Sequence, residues 1–314
     1  MRHFLAINDI KDINEAIQDC MKIKQDPLAK KGLGEDKTLG LIFMNPSLRT
    51  KVSTMKAAQN LGLNILPIDF QSSWALAYDH AVVMNQDESE HIKEAAQVIE
   101  QYCDIVGIRA FAELQNKQED EKEKVFSGFL NYTNIPVINL ESALAHPLQT
   151  LADILTIETY KPQKKPKVVL TWAPHVKPLP HAVANSFVEG MQLMDYDFVV
   201  THPPGYKLDA CLKHNIPSQY DQDKALQEAD FVYVKNWSST SSYGQVINQD
   251  PKWMINMAKL QFAPSAKVMH CLPVRRNLVM SDDVLDGPHS IVIEQAANRL
   301  YAAQYVLSKI LEGL

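Results

Sequence analysis

Cysteine is scarce and scattered. Cys20, Cys103, Cys211 and Cys271 are the only 4 in 314 residues, and no CxxC pair occurs. That spacing argues against a zinc site or a disulfide framework and fits the reduced thiols of a cytoplasmic protein. Long apolar runs are missing too. None reaches the roughly 18 residues that a membrane-spanning helix needs. Residues 1–12 lack an apolar stretch followed by a small-residue cleavage site, so no secretory leader is expected. No GxGxxG follows a strand candidate and no GxxxxGK[ST] occurs, which removes the dinucleotide and nucleoside-triphosphate fingerprints. A basic excess is also lacking. Lys plus Arg is 31 against 37 for Asp plus Glu, a net charge of -6. No nucleic-acid footprint is expected, although a local basic pocket for a small anion is compatible with that balance.

What is present reads as an ordinary globular chain, 46% hydrophobic and 22% charged. At about 150 residues per domain the length suggests two domains. Helical spacing of apolar residues predicts helices over 10–23, with Asp9 as cap, and over 48–61, with Gly62 as the stop. Short apolar runs at 39–44, 64–69 and 105–108 read as buried strands, with a helix at 91–102 before the last of them. The charged stretch 114–124 is either a solvated helix or a surface loop. Residues 136–139 close the first half, and 150–160 form a helix that leads into the second. There, strands are expected at 167–172, 197–201, 231–234, 266–269 and 290–293. Helices are expected at 180–191 and 226–229. A long amphipathic helix at 296–311 ends the chain. Strands alternating with helices imply an α/β fold built on open parallel sheets.

The segment Asn45-Pro46-Ser47-Leu48-Arg49-Thr50 falls between a strand and a helix. Ser47 stands at or near the N-cap. Backbone N–H groups at a helix start can hold a phosphate, and hydroxyls and a guanidinium reinforce the site. The plain alternative is a capping turn with a surface arginine. Ser-Leu-Arg-Thr resembles the Ser-Thr-Arg-Thr phosphate-binding segment of the aspartate and ornithine carbamoyltransferases. Three further blocks follow in that family's order. Arg109 comes after the strand at 105–108. His146-Pro147-Leu148-Gln149, with Asp153 four residues on, resembles the His-Pro-x-Gln segment. His270-Cys271-Leu272-Pro273 is similar to the ornithine-type His-Cys-Leu-Pro segment. Together these blocks cover essentially the whole chain.

The resemblance implies a two-domain α/β fold, each domain a parallel sheet with helices on both faces. Residues 1–140, joined by the last helix at 296–314, would bind carbamoyl phosphate, and 141–295 would bind the amino-acid acceptor. By resemblance, Ser47, Leu48, Arg49 and Thr50 hold the phosphate and Arg109 reaches both phosphate and carbonyl. His146 would hydrogen-bond the carbonyl oxygen, and Gln149 the carbamoyl amide. Cys271 invites a covalent-nucleophile reading, but a neutral amine is already a competent nucleophile. Backbone carbonyls near Cys271 and Leu272 would instead orient it, and on its own Cys271 reads as a buried small hydrophobe. Asp153 is read as orienting a neighbour rather than as a base. Neither cofactor nor metal is expected, because a cationic pocket can stabilise departing phosphate.

The acceptor end departs from the two best-known branches. The Asp-x-x-x-Ser-Met-Gly segment of ornithine enzymes is absent, and Cys271 does not fit the aspartate type. Thr171-Trp172-Ala173-Pro174-His175, Lys235-Asn236-Trp237 and residues 270–277 resemble the transcarbamylases that use Nα-acylated ornithine. In that group Glu141, His175, Lys235 and Arg275 match positions that contact the acylated amino acid. Lys235 and Arg275 would meet its carboxylate, the alternative for Lys235 being a solvated lysine after a strand. Acetyl-type members have glutamate at the position of Ser89, and succinyl-type members a non-acidic residue, typically proline. A glutamate would repel the succinyl carboxylate and occupy its space, whereas serine does neither. Ser89 could also simply cap the helix that follows.

The resemblance therefore implies carbamoyl transfer to N-succinylornithine in arginine biosynthesis, with N-acetylornithine as the second reading. A non-catalytic phosphometabolite-binding protein on the same fold is the alternative from another class. Trp74, in Gln71-Ser72-Ser73-Trp74, matches a tryptophan that a neighbouring subunit donates, which implies a homotrimer with interfacial sites. Val279 stands at the position matched to a modified lysine of acetyl-type relatives, so that modification is not expected.

Overall fold

The computed structural model describes residues 1–70 and 74–314. Those residues form two compact units. One comprises Met1–Glu113, Gln118–Leu148 and Arg299–Leu314, and the other Leu114–Lys117 and Gln149–Asn298. The chain runs first through α1 (Ile13–Gln25), β1 (Thr38–Phe43), α2 (Leu48–Leu61), β2 (Asn64–Asp69), β3 (Leu76–Ala77), β4 (Glu90–His91), α3 (Ile92–Glu100), β5 (Ile105–Arg109), α4 (Lys117–Glu121), α5 (Lys124–Tyr132) and β6 (Val137–Glu141). After α6 (Pro147–Tyr160) it continues through β7 (Lys167–Trp172), α7 (Ala182–Met191), β8 (Asp197–Thr201), α8 (Asp209–Lys213), β9 (Ser218–Gln219), α9 (Gln222–Leu226), β10 (Phe231–Lys235), α10 (Met257–Leu260), β11 (Lys267–Met269), α11 (Asp282–Leu285) and α12 (Val292–Leu311).

The first unit holds a 4-stranded sheet in the order β2-β1-β5-β6, and the second a 5-stranded sheet in the order β11-β10-β7-β8-β9. Every pairing in both sheets is parallel. Helices cover both faces of each sheet, as expected for the α/β class. That cover explains the sequence pattern. Strands buried on both faces read as continuous apolar runs rather than alternating ones, and all residues of β5, β6 and β10 are buried. The core of the first unit includes Ile42, Ile92, Val106, Phe126 and Phe129, and that of the second Val169, Val232, Ile255 and Met280.

Strand order decides where a site can form. In the first sheet β1 lies between β2 and β5, so the chain leaves β1 toward one edge and leaves β5 toward the other. In the second sheet β7 lies between β8 and β10 with the same consequence. A crevice opens at the carboxyl ends of such a strand pair. The segments leaving these strands are 44–50, 110–113, 173–181 and 236–242.

Several boundaries differ from the sequence-based ones for local reasons. The first helix starts at Ile13, because Asp12 rather than Asp9 caps it, accepting from the backbone N–H of Asn14 at 2.9 Å and Glu15 at 3.1 Å. Asp9 turns back instead and accepts from the N–H groups of Leu5 and Ala6. The charged stretch forms the short helix α4, with no buried residue. The strand expected at 290–293 is a single bridge from Ser290 to Val268. Val292 begins α12, and buried positions at 292, 295, 298, 299 and 302 have helical spacing. A short apolar run cannot distinguish the two periods. His91, not Ser89, caps α3 through its ring nitrogen. Gly62 ends α2 in the left-handed region at φ 85°, as the sequence suggested. None of the described helices is long and apolar enough to cross a membrane.

Two measurements test this packing. A Cβ placed on Gly190 in α7 would lie 2.3 Å from Thr150 Cγ2 and 3.2 Å from Ile154 Cδ1 of α6. Gly190→Val should destabilise the second unit by about 1–3 kcal/mol, outweighing a helix-propensity gain of about 0.5 kcal/mol. An unchanged urea midpoint would show that α6 yields freely. Burial also lowers the pKa of His181 and His202 below the ordinary 6.5. The unfolded chain then binds protons near pH 6.5 that the folded chain refuses, so stability rises with pH through that region. The urea midpoint should fall as pH drops from about 7.5 to about 5.5, and fall less in a His181→Gln, His202→Gln double variant.

Candidate active site

The first group of candidate residues lies at the carboxyl ends of β1, β5 and β6. Ser47 adopts an extended backbone and caps α2, its hydroxyl accepting from the Thr50 N–H at 3.3 Å. The Leu48 side chain is 73% exposed, so this residue can offer an anion only its backbone N–H. Arg49 is half-buried, and its Nε has no hydrogen-bond partner among the described residues. A helix start presenting N–H groups beside such a guanidinium favours an oxyanion.

Arg109 ends β5 and is held from three sides. Its Nε and Nη2 donate to Glu141 Oε2 at 3.1 and 2.7 Å, and its Nη1 donates to the carbonyls of Asn45 and Pro46 at 3.0 and 2.9 Å. The guanidinium also lies 4.7 Å from the Phe111 ring centre. Glu141, which the resemblance grouped with the acceptor contacts, therefore belongs to this cluster and to the first unit. The cause is strand register, since β5 and β6 pair Arg109 with Glu141 across a bulge. His146 is buried just before α6, its Nε2 3.8 Å from Glu141 Oε2.

Arg299 on α12 was not among the residues read from the sequence. It is buried and its Nη2 donates to Thr50 Oγ1 at 2.6 Å. The guanidinium occupies an acceptor site of the hydroxyl, which leaves the hydroxyl proton to be given elsewhere. No local motif links two residues 249 positions apart. A lone arginine amid the apolar stripe of a C-terminal helix was the available signal.

In the second unit Gln149, Asp153, Cys271 and Leu272 lie near one another through hydrogen bonds. Gln149 is buried on the first turn of α6 and donates its Nε2 to Asp153 Oδ1 at 2.7 Å, while its Oε1 is buried with no partner. Asp153 Oδ1 also accepts from Gln295 Nε2 at 2.6 Å. Gln295 Oε1 in turn accepts from the His270 N–H at 2.8 Å. His270 Nδ1 accepts from the Leu272 N–H at 2.8 Å. Leu272 has φ 54°, an uncommon conformation for a branched residue. Burial, with Asp153 and Cys271 alongside, raises the Tyr233 hydroxyl well above the usual tyrosine range, so it stays protonated.

A second group stands at the carboxyl ends of β7 and β10. The Ala173 N–H donates to the Lys235 carbonyl, and Asn236 Nδ2 to the Ala173 carbonyl at 2.6 Å. This pairing joins the two strand ends that carry His175 and Lys235. Arg275 Nε donates to His175 Nε2 at 3.1 Å. Burial, then the nearby Arg275, Lys235 and Lys177 charges, keep His175 below its ordinary pKa despite its hydrogen bond to the Lys177 carbonyl. The neutral ring faces Arg275 through Nε2, while its Nδ1 lies 2.8 Å from the Lys177 carbonyl and 3.1 Å from the Lys177 backbone nitrogen. Lys235 is buried, and among the described residues no carboxylate forms an ion pair with Lys235 or Arg275. A buried ammonium with no carboxylate beside it favours an anionic ligand, and the exposed Arg275 adds to the local positive charge.

Trp74 and Ser89 form a third locality beside the small parallel sheet of β3 and β4. Trp74 is half-exposed and donates its Nε1 to Glu90 Oε2 at 2.8 Å, and the exposed Ser89 gives its N–H to the Ala75 carbonyl at 2.8 Å. Among the described residues no hydrogen bond links Trp74 or Ser89 to the Arg109 cluster. Gln71 to Ser73, the rest of the motif read around Trp74, lie outside the described residues. All four cysteines are thiols, and only Cys271 is partly exposed. Among the described residues no group of acidic, histidine or cysteine side chains has a metal-binding arrangement.

Comparison with known proteins agrees with both halves. The aspartate/ornithine carbamoyltransferase carbamoyl-P binding domain matches residues 2–159, and the Asp/Orn binding domain of the same family matches residues 180–310. N-succinylornithine carbamoyltransferase of Bacteroides thetaiotaomicron is 45% identical, with both chains fully covered. The enzyme of that name from Bacteroides fragilis is 46% identical, again with both fully covered. Among solved structures, a glutamate-to-serine variant of an N-acetyl-L-ornithine transcarbamylase, complexed with carbamyl phosphate and N-succinyl-L-norvaline, superposes with a TM-score of 0.90. It is 30% identical, and the match covers 99% of this chain and 100% of that one. Matched in both domains and along its full length, the chain belongs to the aspartate/ornithine carbamoyltransferase family.

Proposed function

We propose that the protein transfers the carbamoyl group of carbamoyl phosphate to the side-chain amine of N-succinylornithine, forming N-succinylcitrulline and phosphate for arginine biosynthesis in the cytoplasm. The observation that carries the acceptor assignment is the uncharged Ser89, set in an exposed segment where acetyl-type members carry glutamate. The succinyl-ligand complex of the glutamate-to-serine relative supports it, as does the higher identity to enzymes named for the succinyl substrate.

In this reading Ser47, the Leu48 N–H, Arg49, Thr50 and Arg109 hold the phosphate, with Arg299 turning the Thr50 proton outward. His146 donates to the carbamoyl oxygen, and Gln149 Oε1 accepts from the carbamoyl amide. The neutral amine of the acceptor attacks the carbamoyl carbon, and a tetrahedral centre forms. The carbon–nitrogen bond is made, the carbon–oxygen bond to phosphate breaks, and phosphate leaves with that electron pair and takes up the amine proton. Carbonyls near Cys271 and Leu272 orient the amine, and the Cys271 sulfur forms no bond. Lys235 and Arg275, with His175 holding the latter, bind carboxylate. Catalysis rests on orientation and on donors aimed at developing negative charge. The working assembly is a homotrimer in which Trp74 completes a neighbour's phosphate site.

The deciding assay measures citrulline-type product from purified protein with N-succinylornithine, N-acetylornithine and ornithine at matched concentrations. N-Succinylornithine should have the highest kcat/KM. Ser89→Glu should lower that value by about 100-fold, because like charges placed together cost several kcal/mol, and should spare N-acetylornithine. A wild-type preference for the acetyl substrate would overturn the acceptor assignment and leave carbamoyl transfer standing. Lys235→Met and Arg275→Gln should each raise KM for the acylornithine by about 10-fold or more, the worth of a hydrogen bond to a charged group. KM for carbamoyl phosphate should hardly move. Equal changes in both constants would count against carboxylate binding at these residues.

A further inference from the structure

The buried Asp153 and Gln295, which link Gln149 to the backbone of His270, have no task in the reaction proposed above. Gln149, Asp153 and Gln295 are each 0–1% exposed. A carboxamide in such a place could turn either end outward, with similar packing and opposite hydrogen-bonding character. The carboxylate removes that freedom. It is an acceptor only, so both amide nitrogens that reach Asp153 Oδ1 must face it, at 2.7 Å from Gln149 and 2.6 Å from Gln295. Each glutamine then shows its carbonyl oxygen on the other side. Gln295 Oε1 is consumed by the His270 N–H at 2.8 Å. Gln149 Oε1 is buried and unpartnered, a costly state unless something donates to it.

We infer that Asp153 is a positioning residue serving both reactants. Through Gln149 it presents an acceptor that recognises a group bearing an N–H. Through Gln295 it anchors the backbone of residues 270–272, whose carbonyls orient the amine. One buried carboxylate thereby selects an amide over an isosteric methyl in the donor and sets the register of the nucleophile. The inference rests on the proposed carbamoyl transfer, because it takes the donor's N–H group as the partner of Gln149 Oε1.

The test uses two non-reacting phosphonates that differ in one group. Phosphonoacetamide carries the amide, and 2-oxopropylphosphonate has a methyl in its place. Wild-type protein should bind the amide about 10-fold or more tightly than the ketone, the worth of one well-placed hydrogen bond. Asp153→Ala should collapse that ratio toward one while leaving ketone and inorganic phosphate affinities within about 3-fold. It should also lower kcat by about 100-fold, as expected when a reacting group loses its alignment. Asp153→Asn, which offers an oxygen and an amino end alike, should lower the ratio but less than alanine does, and it provides a folded control should the alanine variant be unstable. Gln295→Leu should lower kcat with the amide preference intact. If Asp153→Ala keeps the preference, or weakens all three ligands equally, the positioning role is refuted. If the wild type binds phosphate but shows no amide preference, both the inference and the carbamoyl reading fall. If wild type prefers the amide and turns over but Asp153→Ala behaves like it, only the inference fails.

Discussion

A guanidinium taken out of water must be given counter-charge and acceptors, and Arg109 is arranged around that demand. Glu141 takes two of its donors and the carbonyls of Asn45 and Pro46 take two more. A buried ion pair contributes little net stability, because desolvation offsets much of the attraction. What it contributes here is position. Parallel register puts Arg109 beside Glu141, and Glu141 in turn lies near His146. The turn that precedes α2 is tied to the same guanidinium through two carbonyls. The α2 cap, the arginine and the imidazole are thus linked in one cluster.

The second unit uses the opposite arrangement beside a similar one. Asp153 satisfies and orients neutral amides, as Glu141 satisfies a cation. Lys235 and Arg275, by contrast, are not neutralised by a carboxylate among the described residues. Arg275 donates to the neutral His175 instead. Burying the Lys235 ammonium without a carboxylate costs stability unless an anion meets it, whereas the exposed Arg275 is solvated. The two units therefore divide the electrostatic work. One holds its arginine with an internal acid, and the other has two cations without a carboxylate partner among the described residues.

Much of this was legible before any coordinates. The strand–turn–helix at 38–61 announced itself through an apolar run, Ser47 and Gly62, each acting over a few residues. Arg109, His146 and Gln149 follow strands or open a helix, so their placement needed only the βα rhythm. Boundaries were misread where two local solutions compete. Asp9 and Asp12 both suit a cap, and residues 290–293 suit both a strand and a helix start. Arg299 and Gln295 were missed because each acts on a partner far away in sequence, Thr50 and Asp153 respectively.

By itself the sequence determined the α/β class, the order of the chemical blocks and the residue types that suit an anionic donor. Those follow from short-range periodicity, capping and side-chain chemistry. Only the tertiary structure decided that Glu141 meets Arg109, that Arg299 donates to the Thr50 hydroxyl, and that Gln149 gives its nitrogen to Asp153. The first two depend on a hydrogen bond between segments that sheet register or helix packing brings together. A carboxamide or hydroxyl has no fixed donor direction until such a partner is in place.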